Sequence, residues 1–251
     1  MSGHSHWASI RHKKGAVDAK RGRLFSKLAR LVMTAARVGG GSPDANLALR
    51  YAIDKAKAAS MPRDSIERAI KKGTGEVEGQ ALEELLYEGY GPGGVAIMAE
   101  ALTDNRNRTA AEVRRLFEMH GGKLASAGAV AWQFEKKGLL VVESSNVNED
   151  DLMELVLEAG ADNLETTADT YEITCPVSKF EAVRAALQKR GIPTTVAEIS
   201  RIAKSAVRVD VEAGRRLLRL LGELEDHEDI QGVHSNFQMD DAVMAQLSEA
   251  V

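Results

Sequence analysis

The chain has 251 residues, of which 44% are hydrophobic and 28% charged, ordinary globular proportions that supply cores for two or three domains. A single cysteine, Cys175, excludes an intrachain disulfide framework and a cysteine-based zinc site. No apolar run approaches the roughly 20 residues that cross a bilayer, and no apolar stretch follows the basic start as in a secretory signal, so the expected location is cytoplasmic.

The net charge of -4 hides an asymmetry. Residues 1–75 carry 16 Lys and Arg against 5 Asp and Glu, a balance of +11, and the rest carries 17 against 32. A basic segment on an acidic body attracts polyanions, with an affinity that falls steeply as salt rises. The alternative is that the basic segment docks on the chain's own acidic half. The aromatic share of 4% argues against an extensive base-stacking surface.

Residues 1–22 have no apolar period and read as a flexible basic arm. Residues 23–78 read as three short helices. Leu24, Leu28, Leu31 and Ala35 give the first an apolar face. GGGSP stops it, with Ser42 and Pro43 as N-cap and first residue of the next. Asp64 and Glu67 suggest a capping box for the third, and Gly73 its stop. Beyond residue 80, GGVAIMAEAL (93–102) reads as a strand. A helix follows, with Thr109 and Glu112 as a capping box and Gly121 at its end. GAVAWQF (128–134) and GLLVVE (138–143) also read as strands.

From 138 to 203 the order is β-α-β-β-α-β, that of a ferredoxin-like unit. The final stretch gives strand, helix and strand, with Val233, Ser235 and Phe237 alternating against His234, Asn236 and Gln238. The fold class is therefore α/β in the α+β sense, with three domains and antiparallel sheets. A middle domain of 79–134 plus 207–251 is interrupted by a ferredoxin-like insertion at 135–206.

GHSHWASIRHKK, DAKRG, LRYAIDKAKAASMPRDSIERAIKKGTGE, YEGYGPGG, ALTDNRNRTAAEVR and VAWQF, in this order, resemble the YebC/PmpR family, which includes the mitochondrial translational activator of cytochrome oxidase subunit I. The resemblance covers essentially the whole chain. It implies a three-domain α/β protein of cytoplasm or mitochondria, a DNA-binding transcriptional regulator by the common label. Some members are described as translation factors that act on the ribosome and relieve stalling at proline-rich stretches. Members commonly read KWANIKHKK where this chain has His6, Ser9 and Arg11.

Arg11, Lys13, Lys14, Lys20, Arg21 and Arg23 place six cations within 13 positions, suited to lying along phosphates, and Trp7 or His12 could stack on an exposed base. Lys27, Arg30 and Arg37 continue the charge along the first helix. In TDNRNRT, Arg106 and Arg108 are second candidates for phosphate, against loop and cap chemistry in which Thr109 caps the helix. Gly89, Gly91 and Gly94 match G-x-G-x-x-G, but a strand follows where a dinucleotide site needs a helix, so they read as a turn. His4, His6 and His12 read as an arm that binds metal only incidentally, and Cys175 as a buried thiol. EDHED (225–229) reads as a solvated helix end.

No catalytic constellation is present, and neither cofactor nor metal is expected. The expected partners are DNA, rRNA or tRNA, with the ribosome as a possible assembly and the chain itself a monomer. No helix has the Asn/Gln/Arg spacing of an operator-reading element, so gripping nucleic acid by shape and phosphate, as on a ribosome, is favoured over sequence readout. An enzyme with an unrecognised site, or a protein adaptor, is the alternative.

Overall fold

The computed structural model describes residues 18–78, 82–167, 169–240, 243, 246 and 247, with side chains from Gly22 onward. Three helices come first: α1 (Asp18–Gly39), α2 (Leu47–Ala58) and α3 (Arg63–Thr74). Helix α1 starts inside the segment read as arm. Leu28, Val32, Ala36, Leu49, Ala52, Ile53, Ala56, Ile66 and Ala69 form one buried cluster between them. Their spacing of three or four residues keeps one face of each helix inward.

The predicted helix ends need correction. Helix α2 opens at Asn46, whose Oδ1 accepts from Leu49 N at 3.1 Å while its Nδ2 donates to the Ala35 and Gly40 carbonyls at 2.8 Å. Ser42 lies in the turn before it, where its carbonyl accepts from Asn46 N at 3.0 Å. A side-chain amide serves two elements at once there, which a Ser-Pro cap cannot do. Helix α3 starts after Pro62, so Asp64 falls in its first turn and Glu67 pairs with Arg63 at 2.7 Å instead of closing a capping box. It ends at Gly75, with φ +82°. Gly73 is instead where α3 crosses α1: a Cβ would lie 2.3 Å from the Met33 carbonyl oxygen.

Two antiparallel sheets follow. The first takes β1 (Glu83–Tyr90), β2 (Ala96–Thr103), β3 (Lys123–Leu124) and a late strand, Ile230–Ser235, in the order β3, β1, β2, late strand. Between β2 and β3 runs α4 (Arg106–Met119). The second sheet takes β4 (Phe134–Glu143), β5 (Asn163–Thr166), β6 (Thr170–Pro176) and β7 (Val196–Ala203) in the order β5, β6, β4, β7. Helices α5 (Glu149–Ala159) and α6 (Phe180–Lys189) cover it. That order is the ferredoxin-like one. After it come β8 (Val207–Arg208), α7 (Val211–Asp226), β9 (the late strand) and β10 (Phe237–Gln238), which pairs in parallel with β8. The ferredoxin-like unit is thus inserted between β3 and β9 of the first sheet.

Strand β1 escapes sequence reading because EELLYEGY buries Glu88 and Gly89 rather than an apolar alternation. GAVAWQF is not a strand. Its backbone turns at Ala131–Gln133 and becomes extended only at Phe134. The reason is the carboxylate of Glu88, 3% exposed, which accepts from the backbone N–H of Gly128 at 2.6 Å and of Val130 and Ala131 at 2.7 Å. Burial works against the charged form, but these three donors outweigh it and lower the Glu88 pKa. Val130 and Phe134 pack on Ala96 and Met98 of β2, and Ile97, Ala99 and Ala101 face the larger core with α4 and α7. Burial on both sides explains the apolar run at 96–99 that opens β2.

The stretch from β9 into β10 departs from the expected alternation, since His234, Ser235 and Asn236 are all buried. Asn236 Oδ1 accepts from Ala96 N at 2.8 Å. In the glycine motif, Gly93 (φ +75°) and Gly94 (φ +76°) form the turn joining β1 to β2.

Candidate nucleic-acid interface

Trp7, Arg11, His12, Lys13 and Lys14, with His4 and His6, lie outside the described residues. Lys20 and Arg21 lie within α1 and Arg23 is exposed near its start. Further along the same helix the cations meet the body. Lys27 Nζ donates to the Glu225 carbonyl in the last turn of α7, where the helix dipole gathers negative charge. Arg30 Nη1 donates to the Glu228 carbonyl at 2.9 Å and to Asp229 Oδ1. Burial lowers the Lys27 pKa to about 8 against the opposing pull of Glu225 and Asp226. For this part of the basic segment, docking on the acidic half is what the structure contains.

Asp229 is the centre of the arrangement, and EDHED is not a solvated end: Asp229 is 1% exposed. Its Oδ2 accepts from Thr109 Oγ1 at 2.6 Å, Arg108 Nη2 at 2.9 Å and Thr103 Oγ1 at 3.1 Å. Burial opposes ionisation, but the bonds from Thr109, Arg108 and Arg30 prevail and bring the pKa down to about 2. Thr109 therefore does not cap α4. Asn105 does, its Oδ1 accepting from Arg108 N at 3.1 Å, and Glu112 is turned to His227 Nε2 at 2.9 Å.

TDNRNRT accordingly divides. Arg108 is committed to Asp229 and, at 3.1 Å, to Asp104. Arg106 opens α4 with its side chain 68% exposed and lies 3.4 Å from Glu83. What sequence reading missed is that buried Asp229, inside an acidic run, ties α1 to α4. The EDHED run looks solvated because four of its five residues are charged.

Two groupings invite chemistry and do not support it. Oxygen and nitrogen atoms of Glu112, His227 and Asp229 lie within 4.8 Å of one another. Yet both Asp229 oxygens already face guanidinium groups, which a cation would have to displace. Ser200 Oγ stands 3.4 Å from His234 Nδ1, and His234 Nε2 3.9 Å from Glu100. Ser200 is 6% exposed, in the seam where Arg201 of β7 donates to Glu100 of β2 at 2.6 Å. The group joins the two sheets and offers a substrate no approach to the hydroxyl. Cys175 is buried, and burial raises its thiol pKa.

Among the described residues no helix is long and apolar enough to cross a membrane. The model of the TACO1/YebC N-terminal domain matches residues 5–76, and that of the TACO1/YebC second and third domain matches 82–237. A probable transcriptional regulatory protein of Desulfotalea psychrophila is 50% identical over 99% of this chain and 100% of its own length. One from Geobacter sulfurreducens is 50% identical over 98% and 100%. The crystal structure of a conserved hypothetical protein from Aquifex aeolicus superposes with a TM-score of 0.84 at 46% identity, covering 94% of this chain and 98% of that one.

Proposed function

The chain belongs to the TACO1/YebC family, and on that premise we propose that it is a regulator of gene expression that grips nucleic acid by its phosphates. The observation that carries this reading is the division of charge, +11 over residues 1–75 against an acidic remainder. The acidic body repels a polyanion while the basic segment attracts it, so the chain meets its target in one orientation. Lys27 and Arg30, held on the body, then serve as the mount for the cations before them. Arg11, Lys13, Lys14, Lys20, Arg21 and Arg23 are the phosphate contacts, Trp7 and His12 the stacking side chains, and Arg106 an outlying contact. Arg108, engaged with Asp229, positions α4.

The favoured setting is the ribosome in the cytoplasm, with the chain a monomer acting as a translation factor on rRNA or tRNA. RNA held by shape and phosphate needs no base-reading helix, and the sequence offers none. Relatives named as transcriptional regulators support promoter DNA as the second reading. We also propose domain limits of 23–78, 79–134 with 207–251, and 135–206.

In-cell ultraviolet crosslinking with sequencing of the bound RNA and DNA tests the proposal. Crosslinks concentrated in ribosomal RNA support the translation reading, and enrichment at promoters replaces it with the transcriptional one. Replacing Arg11, Lys13, Lys14, Lys20 and Arg21 by Ala should abolish the signal. If the signal survives, the basic segment is not the grip.

A further inference from the structure

Trp132 is 68% exposed, on a loop whose every other feature works to hold it still. Its indole N–H donates to the Ala129 carbonyl at 3.1 Å, and the Tyr90 hydroxyl donates to the same oxygen at 3.2 Å. Buried Glu88 grips the backbone on the near side through Gly128, Val130 and Ala131. Buried Val130 and Phe134 pin the loop from either side of the indole. A side chain of this size gains substantially from burial. Here the fold fixes the turn and leaves the ring outside, beside a Tyr that is itself 39% exposed.

Two exposed lysines stand on the adjoining backbone. Lys123 is the cross-strand partner of Tyr90, and directly opposed residues point to the same face of a sheet. Lys204 is joined to the adjoining Gln133 by its backbone N–H at 2.8 Å. Lys123 and Lys204 are both exposed, and among the described residues neither pairs with a carboxylate. Of the neighbouring acids, Glu88 is consumed by the loop, and Glu135 lies 3.9 Å from Lys137.

We propose that Trp132, with Tyr90 beside it, is a stacking platform for an unpaired base of a single-stranded nucleic acid, whose flanking phosphates Lys123 and Lys204 hold. A rigid aromatic face with lysines at its edge is the chemistry of sequence-tolerant single-strand binding. A preformed loop spares the ordering entropy that a mobile Trp would lose. The platform is one base wide, in keeping with the low aromatic content. It rests on the nucleic-acid reading of the basic segment and adds a second contact on the acidic body.

The full chain contains two tryptophans, so Trp7→Phe leaves Trp132 as the reporter. An oligouridylate of about ten nucleotides, titrated into this variant, should quench the emission saturably. Lys123→Glu with Lys204→Glu should remove the quenching. Trp132→Ala should weaken binding about tenfold, as loss of a stacked base does, with the melting temperature unchanged because the ring is exposed. Trp132→Phe, which keeps an aromatic face, should retain most of the affinity. Oligouridylate bound in a gel shift with no quenching, and with affinity unaltered by Trp132→Ala, overturns the platform while the basic segment's grip stands; the indole would then be left to a protein partner. No binding of oligouridylate by the full chain overturns both. Equal loss of affinity in the Phe and Ala variants also overturns stacking.

Discussion

Arg30 of α1 and Asp229, 199 positions later in the chain, form an ion pair in which the carboxylate is 1% exposed. This pair joins the N-terminal helices to the first sheet. Asp229 receives Arg108, Thr103 and Thr109 from the other side, so this carboxylate, with the Lys27 bond to the Glu225 carbonyl, holds α1 on the body.

Removing that carboxylate leaves the Thr103 and Thr109 hydroxyls without a buried acceptor and takes away the partner that Arg30 and Arg108 share, though Arg108 keeps Asp104 and Arg30 the Glu228 carbonyl. Leaving buried polar partners unmet costs about 1–3 kcal/mol, and Asp229→Ala should lose that much in urea unfolding. Asp229→Asn, which keeps one acceptor and the volume, should lose less. An Ala variant as stable as the parent would show that Asp229 holds nothing.

The acid limb of stability carries the same signature. The Asp229 pKa lies at about 2 in the folded chain, against an ordinary 3.8. A depressed folded value means that the stabilisation is complete above about pH 4 and lost as pH falls toward 2, an amount of about 2 kcal/mol for this shift. Urea midpoints measured from pH 5 to 2 should fall less steeply for Asp229→Asn than for the parent.

Glu88 makes the second prediction about a buried charge. Glu88→Gln replaces an acceptor of three N–H groups by a neutral amide with one acceptor oxygen, leaving at least one donor unmet at about 1–3 kcal/mol. The amides of Gly128, Val130 and Ala131 should exchange hydrogen faster than in the parent, with those of α2 unaffected. Equal rates in parent and variant would mean that the loop stands without the carboxylate.

Arg106 and Arg108 should separate by function. Arg106→Glu, at an exposed position, should change stability by no more than about 0.5 kcal/mol and weaken nucleic-acid binding. Arg108→Glu should lower stability sharply, since it sets a carboxylate against Asp229. Thermal unfolding with a gel shift on both variants checks this, and an Arg106→Glu variant that binds like the parent removes Arg106 from the interface.

The insertion of a ferredoxin-like unit was legible because β-α-β-β-α-β is written in hydrophobic period alone, as in Leu140, Val142, Leu152, Val156 and Ile173, which form its core. The helical domain was legible for the same reason. The basic segment needed only a count of charges. None of these depends on knowing which residues meet.

Pairings across the chain were not legible. Strand β1 was missed because its inward Glu88 answers backbone donors some 40 positions away, and the two capping boxes failed because Glu67 pairs with Arg63, while Thr109 and Glu112 turn to Asp229 and His227 and leave the cap of α4 to Asn105. Local periodicity is set by each element's own burial, so the sequence by itself determined the elements, their order and the cationic start. Whether a charge is solvated or buried depends on what arrives from elsewhere. Only the tertiary structure could decide that Asp229 is a buried hub, that Lys27 and Arg30 bond to the acidic body, and that Trp132 is left outside.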